Sequence, residues 1–399
     1  MVAPGAEARL HDLDALRAVA MLLGLVLHTA FYVSPPIEGF WPVYEEWAYR
    51  VDAIANPYLY LIMVLHGFRL QVFFLLSGFF TAMLWERRGL RGLTDNRLNR
   101  IGLPLLLCVF TIIPLSDYAH SGELDLRRMV FPWLIDFHHT WFLWNLLLMA
   151  MGFAGAARLG IRFRSRRWWL LVPLSAVPMY FMNAPVVGAD AGTHFVPNPI
   201  VLIHYSMFFL FGAFMYQRKI EMRRRWVYAL LPALLIAFPA ALYFMAPAIA
   251  DFAQVLDDYD TAVSVATTNA AGWSWAVSGA FQTAFAWLMC AGMIGLFRMV
   301  ASDNRPWVRY MSDSCYWLYL LHFPAVIGLQ RLVVDWPLNA HLKVCMIVVA
   351  LTATMLLSYH YLVRYTPIGT LLNGKRFRPH SRPRGGSHSS APAGDRRVR

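Results

Sequence analysis

The chain has 399 residues, 58% of them hydrophobic and 15% charged, with a mean hydropathy of +0.47 and a net charge of +12. Soluble domains carry about 25% charged residues, so this composition excludes an ordinary soluble protein and points to a polytopic membrane protein. The basic excess does not mark a nucleic-acid binder, because Lys and Arg stand in short clusters between apolar spans, as membrane topology requires.

Taken in order, the apolar segments long enough to cross a bilayer are 13–33, 58–84, 101–117, 138–157, 168–185, 200–217, 226–249, 272–297, 310–330 and 342–363. The expected fold is therefore all-α, a polytopic bundle of about ten transmembrane helices. Pro104, Pro114, Pro173 and Pro178 interrupt the third and fifth spans, which membrane helices tolerate where neighbours satisfy the freed carbonyls. The first span holds Arg17 in its apolar core and leads into no small-residue cleavage site, so it is not expected to be a cleaved signal. Of the 35 Lys and Arg residues, 28 fall in one set of alternating connections and five in the other. That asymmetry predicts cytoplasmic termini, with the acidic stretches Asp117 to Asp136 and Asp251 to Asp260 facing outward. Residues 1–372 form the membrane domain on this reading. Residues 373–399 form a basic cytoplasmic tail whose composition predicts disorder and contact with anionic lipid. Cys108, Cys290, Cys315 and Cys345 lie in or beside spans without a CxxC pair, so neither disulfides nor a thiolate metal site is expected.

Polar residues inside these spans carry the functional signal. Arg17 and His28 are 11 residues apart in the first span, close to three helical turns, and so share a face about 16 Å apart along the axis. A guanidinium at the centre of a span costs roughly 2.5–3.5 kcal/mol on insertion scales. Asp14, three residues before Arg17, can pair with it and lower that cost. In the second span His66 and Arg69 share a face, and Ser77-Gly78 forms a small patch open to close helix approach. Arg97 and Arg100 open the third span with the i, i+3 spacing of a phosphate clamp, although inner-surface arginines also serve topology. His138-His139-Thr-Trp141 opens the fourth span as an interfacial aromatic and imidazole group; adjacent histidines on a helix point about 100° apart and make a poor metal site. In the ninth span Asp313, Tyr316, Tyr319 and His322 recur at three-residue spacing along one face. No metal is expected.

Together these segments resemble the acyltransferase-3 family of integral membrane acyltransferases. The matching motifs, in family order, are Asp14-x-x-Arg17 with Arg17-x10-His28, Phe73-Phe-Leu-Leu-Ser-Gly78-Phe79, Arg97-x-x-Arg100, His139-Thr-Trp-Phe-Leu143 and Ser314-Cys-Tyr-Trp-Leu-Tyr-Leu-Leu-His322-Phe-Pro324. The resemblance implies an enzyme of the bacterial inner membrane that takes an acyl group from cytoplasmic acyl-CoA to a carbohydrate on the far side. The likeness is greatest to members that move succinyl from succinyl-CoA to a periplasmic glucan, which implies partners in glucan synthesis; O-acetylation of another surface glycan is the alternative. Acyl-CoA is then a substrate, and no bound cofactor is expected. On this reading Arg17, Arg97 and Arg100 hold the donor phosphates, and His28 acts as general base or acyl carrier. Arg69 or Tyr319 meets the oxyanion. His66 belongs to the same lining, and Asp14, His139, Trp141, Asp313, Tyr316 and His322 support it. Buried Arg and His also suit a transporter or flippase for an anionic or glycolipid substrate, but the inverted repeat common there is not evident.

Overall fold

A computed structural model describes residues 10–373 except 37–39, 125–126, 128–130, 132–133, 162–164, 183–185, 254–271 and 304–305. All of the expected 373–399 tail but Asn373, and most of the acidic stretch 251–260, thus lie outside the described residues. Among the described residues the regular structure is helical, with an isolated antiparallel bridge between Asp136 and His194. Among the described residues seven helices are long and apolar enough to cross a membrane.

Helix α1 (His11–Ala30) ends in a tight turn through Val33, and the short α2 (Glu46–Arg50) follows. The run from Pro57 to Phe110 contains α3 (Pro57–Arg97) and α4 (Leu103–Phe110). Its 54 residues would reach roughly 81 Å if straight, far beyond a hydrocarbon core of about 30 Å. It is not straight. Gly89 has φ 66° and ψ −174°, a conformation only glycine adopts readily. Arg97 Nη2 consequently donates to Thr81 Oγ1 at 2.7 Å, although about 24 Å of straight helix would separate them. The second and third expected spans are therefore two helices folded back on each other at Gly89.

Helix α5 (Ile112–Ser121) follows a break at Thr111, and a single turn (His138–Thr140) leads into α6 (Trp141–Arg158). The proline-rich fifth segment forms only the short α7 (Leu171–Leu174) and α8 (Ala176–Tyr180), separated at Ser175. Helix α9 is Pro199–Gln217, and consecutive 3-10, α- and π-helical turns from Arg224 run on into α10 (Phe238–Ala253). Helices α11 (Trp273–Val300), α12 (Pro306–Val333), α13 (Ala340–Ser358) and α14 (Pro367–Asn373) complete the chain. Helix α12 is long enough to cross but carries Asp313, His322 and Gln330, and it is not among the seven.

The small patch at Ser77-Gly78 does what its composition predicts. A Cβ at Gly78 would overlap the Phe209 carbonyl, and one at Gly212 would overlap the Leu75 carbonyl. Helices α3 and α9 thus meet backbone to backbone, a contact open only to glycine at both positions. Rings fill the space around them: Phe74, Phe208, Phe209 and Phe285 are fully buried, and Phe208 stacks on Trp287 with centroids 4.1 Å apart.

Three buried polar devices fix the elements around the site. Arg298 Nη1 donates to Asp12 at 2.7 Å and ties α11 to the start of α1. Lys343, 2% exposed, donates to both carboxylate oxygens of Glu45 and to the Val334 carbonyl, while Tyr32 donates to Glu45. Lys343 is therefore an interior cation on α13 rather than a charge in an outer connection. The third device is an extended segment, 186–194, that enters the bundle. Its Gly188 N–H donates to Gln282, and its carbonyls at Val187, Ala189, Gly192 and Thr193 accept from His66, Tyr205, Asn145 and the Phe137 N–H. Irregular backbone survives between membrane helices only when protein groups satisfy it this way.

Candidate active site

Helix directions set the site's geometry. His28 of α1 lies beside His322 of α12, and Arg17 lies within electrostatic reach of Cys315, so α1 and α12 run parallel. Helix α3 runs antiparallel to them. Arg69 abuts Gly24, and Phe80 lies under Arg17 with 5.7 Å from guanidinium carbon to ring centroid. One face of α1 therefore joins two poles about 16 Å apart, the separation its 11-residue spacing predicts.

The first pole is a group of imidazoles. His28 and His322 have ring centroids 5.1 Å apart, and His139 and His322 are 5.0 Å apart. His139 is 7% exposed and His322 3% exposed, whereas His28 is only partly buried. His139 Nε2 lies 3.0 Å from the Leu320 carbonyl and His322 Nδ1 lies 2.6 Å from the Tyr319 carbonyl. A carbonyl only accepts, so each of those nitrogens carries the ring proton. The opposite nitrogens, His139 Nδ1 and His322 Nε2, are buried basic lone pairs without a partner, and His28 Nδ1 is likewise unpartnered. Tyr319 anchors the group by donating its hydroxyl to the His139 carbonyl at 2.6 Å.

Arg69 enters this pole through a gap in α1. A Cβ at Gly24 would overlap Arg69 Nη1 and would lie 3.8 Å from His322 Nε2. The guanidinium thus sits beside the basic nitrogen of His322, one helical turn from His28. Arg69 Nε is buried without a partner. His66 shares Arg69's face of α3 but turns to the other side, where Nδ1 meets the Val187 carbonyl at 3.1 Å. It faces the entering 186–194 segment but lies within electrostatic reach of His28, and Arg69 is within reach of both.

Aromatic rings wall the pole. Trp41 stacks on His28 (5.9 Å between centroids) and Phe323 meets it edge-on (5.2 Å). Trp41 donates to Gln330 Oε1 at 2.9 Å, and Gln330 donates in turn to the Thr29 carbonyl on α1. The two adjacent histidines do not diverge as a regular helix would make them. His138 has φ 42°, a conformation rare outside glycine, and both rings stack on Phe323 at 5.5 and 5.1 Å. His138 Nε2 meets Asp117 Oδ1 at 2.7 Å, with the His120 ring 6.2 Å away. Burial pulls the His120 imidazole below its ordinary range, and His138 adds to that effect.

The second pole is cationic. Arg17 pairs with Asp14 at 3.6 Å, as their spacing predicts. Arg97 is within electrostatic reach of both Arg17 and Arg100, and its Nε is buried without a partner. The Arg100 carbonyl accepts the Tyr316 hydroxyl at 2.9 Å. Asp313 is buried nearby on α12, and its carbonyl accepts from Asn373 at 2.7 Å. Trp141 stands apart from both poles: its ring packs against Tyr205 at 5.5 Å, and its carbonyl accepts from Asn145. Among the described residues no group of three His, Cys, Asp or Glu side chains could hold a metal ion.

Sequence reasoning missed Gly24, Trp41, Phe323, Gln330 and Asp117. Gly24, four residues before His28, and Phe323, next to His322, were reachable from helical spacing. Trp41 was not, because its loop has no periodicity.

Residues 10–361 match the acyltransferase-3 family, described as an acyltransferase domain. The chain is also 35% identical over 115 residues to glucans biosynthesis protein C of Escherichia coli O1:K1 / APEC, O139:H28 (strain E24377A / ETEC) and O9:H4 (strain HS). That stretch is 28% of this chain and 26% of each relative, so the match spans about a quarter of those proteins. No solved structure matches. With its motifs arranged around a buried polar face and nearly its whole length matched, the chain belongs to the acyltransferase-3 family and is a membrane acyltransferase.

Proposed function

We propose that this acyltransferase takes a succinyl group from cytoplasmic succinyl-CoA and passes it to a periplasmic glucan across the bacterial inner membrane. The observation that carries this reading is the pair of poles on α1, cationic at Arg17, Arg97 and Arg100 and imidazole-rich at His28, His139 and His322. Arginine forks match phosphate and stay charged, which suits the diphosphate of acyl-CoA. The thioester arm then reaches His28, which serves as general base toward a sugar hydroxyl or as transient acyl carrier. Arg69 meets the oxyanion, or the free carboxylate of a succinyl group, and His66 lines the same interior. Tyr319 and His139 hold the imidazoles in place; Tyr316, Asp313 and Asp14 order the cationic end.

Ten crossings with cytoplasmic termini fit this reading. The fold at Gly89, the parallel course of α1 and α12 and the antiparallel course of α3 support that count and orientation. Succinyl and glucan draw their support from the likeness to glucans biosynthesis protein C over part of the chain. Proteins of glucan synthesis and the surrounding lipid are the expected partners.

The test is His28→Ala in purified, reconstituted protein supplied with acyl-CoA and a glucan. The variant should fold and lose release of free CoA, and the added group should vanish from the glucan's mass spectrum. Substantial remaining transfer would remove His28 from the mechanism.

A further inference from the structure

The imidazole group does not treat its members alike. His28 is partly exposed and stacks against Trp41, and among the described residues its Nδ1 has no hydrogen-bond partner to fix which ring nitrogen carries the proton. His322 lies behind it, 3% exposed. Its Nδ1–H is committed to the Tyr319 carbonyl at 2.6 Å, so its Nε2 is a permanent lone pair, buried and unpartnered. The groups facing it are His28 on α1, His139 from the turn before α6, Arg69 on α3 and Tyr319 on its own helix. A buried ring with one nitrogen locked as donor and the other left as a lone pair is arranged to take up a proton from a neighbouring ring and pass it on.

We propose that His322 is the proton-holding partner of His28, and that this makes His28 the acyl carrier. The proposal rests on the acyl-CoA-to-carbohydrate reading above. In the first half-reaction a His28 nitrogen bonds to the thioester carbon and the carbon–sulfur bond breaks. The proton on the other His28 nitrogen passes to His322 Nε2 and on to the departing thiolate, which leaves as free thiol. In the second, a sugar hydroxyl oxygen bonds to the acyl carbon and the carbon–nitrogen bond breaks. The hydroxyl proton passes to His322 Nε2 and returns to His28. In the first half-reaction His322 takes a proton from His28 and gives it to the thiolate, in the second it takes one from the sugar and gives it to His28, so both histidines end unchanged. Arg69 Nη1, held at Gly24 beside His322 Nε2, faces the oxyanion of both half-reactions. His322 exchanges one proton with each substrate and is therefore a catalytic acid–base residue beside His28.

The experiment uses the full-length protein in proteoliposomes with succinyl-CoA. His322→Gln keeps an amide N–H for the Tyr319 carbonyl but cannot hold and return a proton. It should slow both CoA release and transfer to glucan about 100-fold or more, in the range of general acid–base catalysis, with KM for succinyl-CoA within about twofold of wild type. His322→Ala should be equally slow but recover with added imidazole, the recovery tracking the unprotonated fraction of imidazole as pH is raised. A merely structural role would not produce that dependence. Intact-protein mass spectrometry of wild type without acceptor should show a single acyl adduct on His28. His322→Gln activity within threefold of wild type, or imidazole recovery that ignores pH, would overturn the proposal. A wild-type protein that transfers succinyl without ever forming the adduct would also overturn it while leaving the proposed function standing. Failure of wild type to release CoA would instead remove the function itself.

Discussion

Gly24→Ala separates stability from activity in a way that few substitutions here can. A Cβ at this position overlaps Arg69 Nη1 and approaches Arg69 Cζ at 3.4 Å and His322 Nε2 at 3.8 Å. The overlapping atom is the end of a flexible side chain, so the clash is relieved by moving the guanidinium rather than the backbone. Alanine is also the better helix former, by about 0.8–1.0 kcal/mol in a helix interior. Stability should therefore change by no more than about 1 kcal/mol. Activity should fall about 10²- to 10³-fold, or roughly 2.7–4 kcal/mol in the barrier, as expected when one oxyanion donor leaves. The assay pairs thermal unfolding with steady-state CoA release in proteoliposomes. A double-mutant cycle with Arg69→Ala sharpens it: if Gly24 acts through Arg69, the double variant is no slower than Arg69→Ala alone. Activity of Gly24→Ala near wild type would show that the guanidinium's place beside His322 does not matter. A further loss in the double variant would show that Gly24 acts by some other route.

Lys343→Met leaves the buried Glu45 carboxylate with Tyr32 as its side-chain partner among the described residues, and should cost about 3–5 kcal/mol by thermal or denaturant unfolding. Adding Glu45→Gln removes the stranded charge and should restore most of that loss; no recovery would mean that Lys343 acts through packing. Arg97→Ala deletes a cation from the second pole, and a lost charged hydrogen bond of about 1.5–3 kcal/mol corresponds to roughly a 10- to 100-fold higher KM for acyl-CoA. The acceptor KM should barely move, and an equal rise in both would contradict a donor-phosphate role.

Much of the candidate site was legible because polar residues are rare within apolar spans, and each one asks for a reason. His28, Arg69, His139, Tyr319 and His322 were chosen on that ground, and the fold brings them together from four elements. The face shared by Arg17 and His28 follows from helical periodicity alone, and so does the pairing of Asp14 with Arg17. His66 was selected by the same logic, yet it turns toward the 186–194 segment. That segment could not be foreseen, because extended backbone broken by Gly188 and Gly192 has no period, and its entry into the bundle depends on partners from helices far away in sequence. The second and third spans were correctly separated by composition, but the hinge at Gly89 was not, since a glycine within a charged run carries no distinctive pattern. In the fifth span, where the sequence already placed interruptions at Pro173 and Pro178, short helices stand on either side of Ser175.

Polarity inside the bundle does not by itself separate structure from chemistry; satisfaction does. Asp12 with Arg298, and Glu45 with Lys343 and Tyr32, are buried ionic groups whose charges are met within the protein. They tie helices together as fixed joints. His28 Nδ1, His139 Nδ1, His322 Nε2 and Arg69 Nε are buried too, and lack partners. Isolated orphans occur elsewhere, as at His204 Nε2 and Thr283 Oγ1, but these four belong to side chains gathered around one spot. An unmet polar atom in an apolar interior costs about 1–3 kcal/mol, more when charged, so four together represent a substantial penalty in the resting fold. A substrate hydroxyl can donate to an imidazole lone pair and a substrate carbonyl can accept from Arg69, so entry would relieve part of that penalty, and the relief grows as negative charge develops on the carbonyl oxygen beside Arg69. The same unmet atoms that weaken the empty bundle are thus the ones positioned to favour the transition state over the ground state.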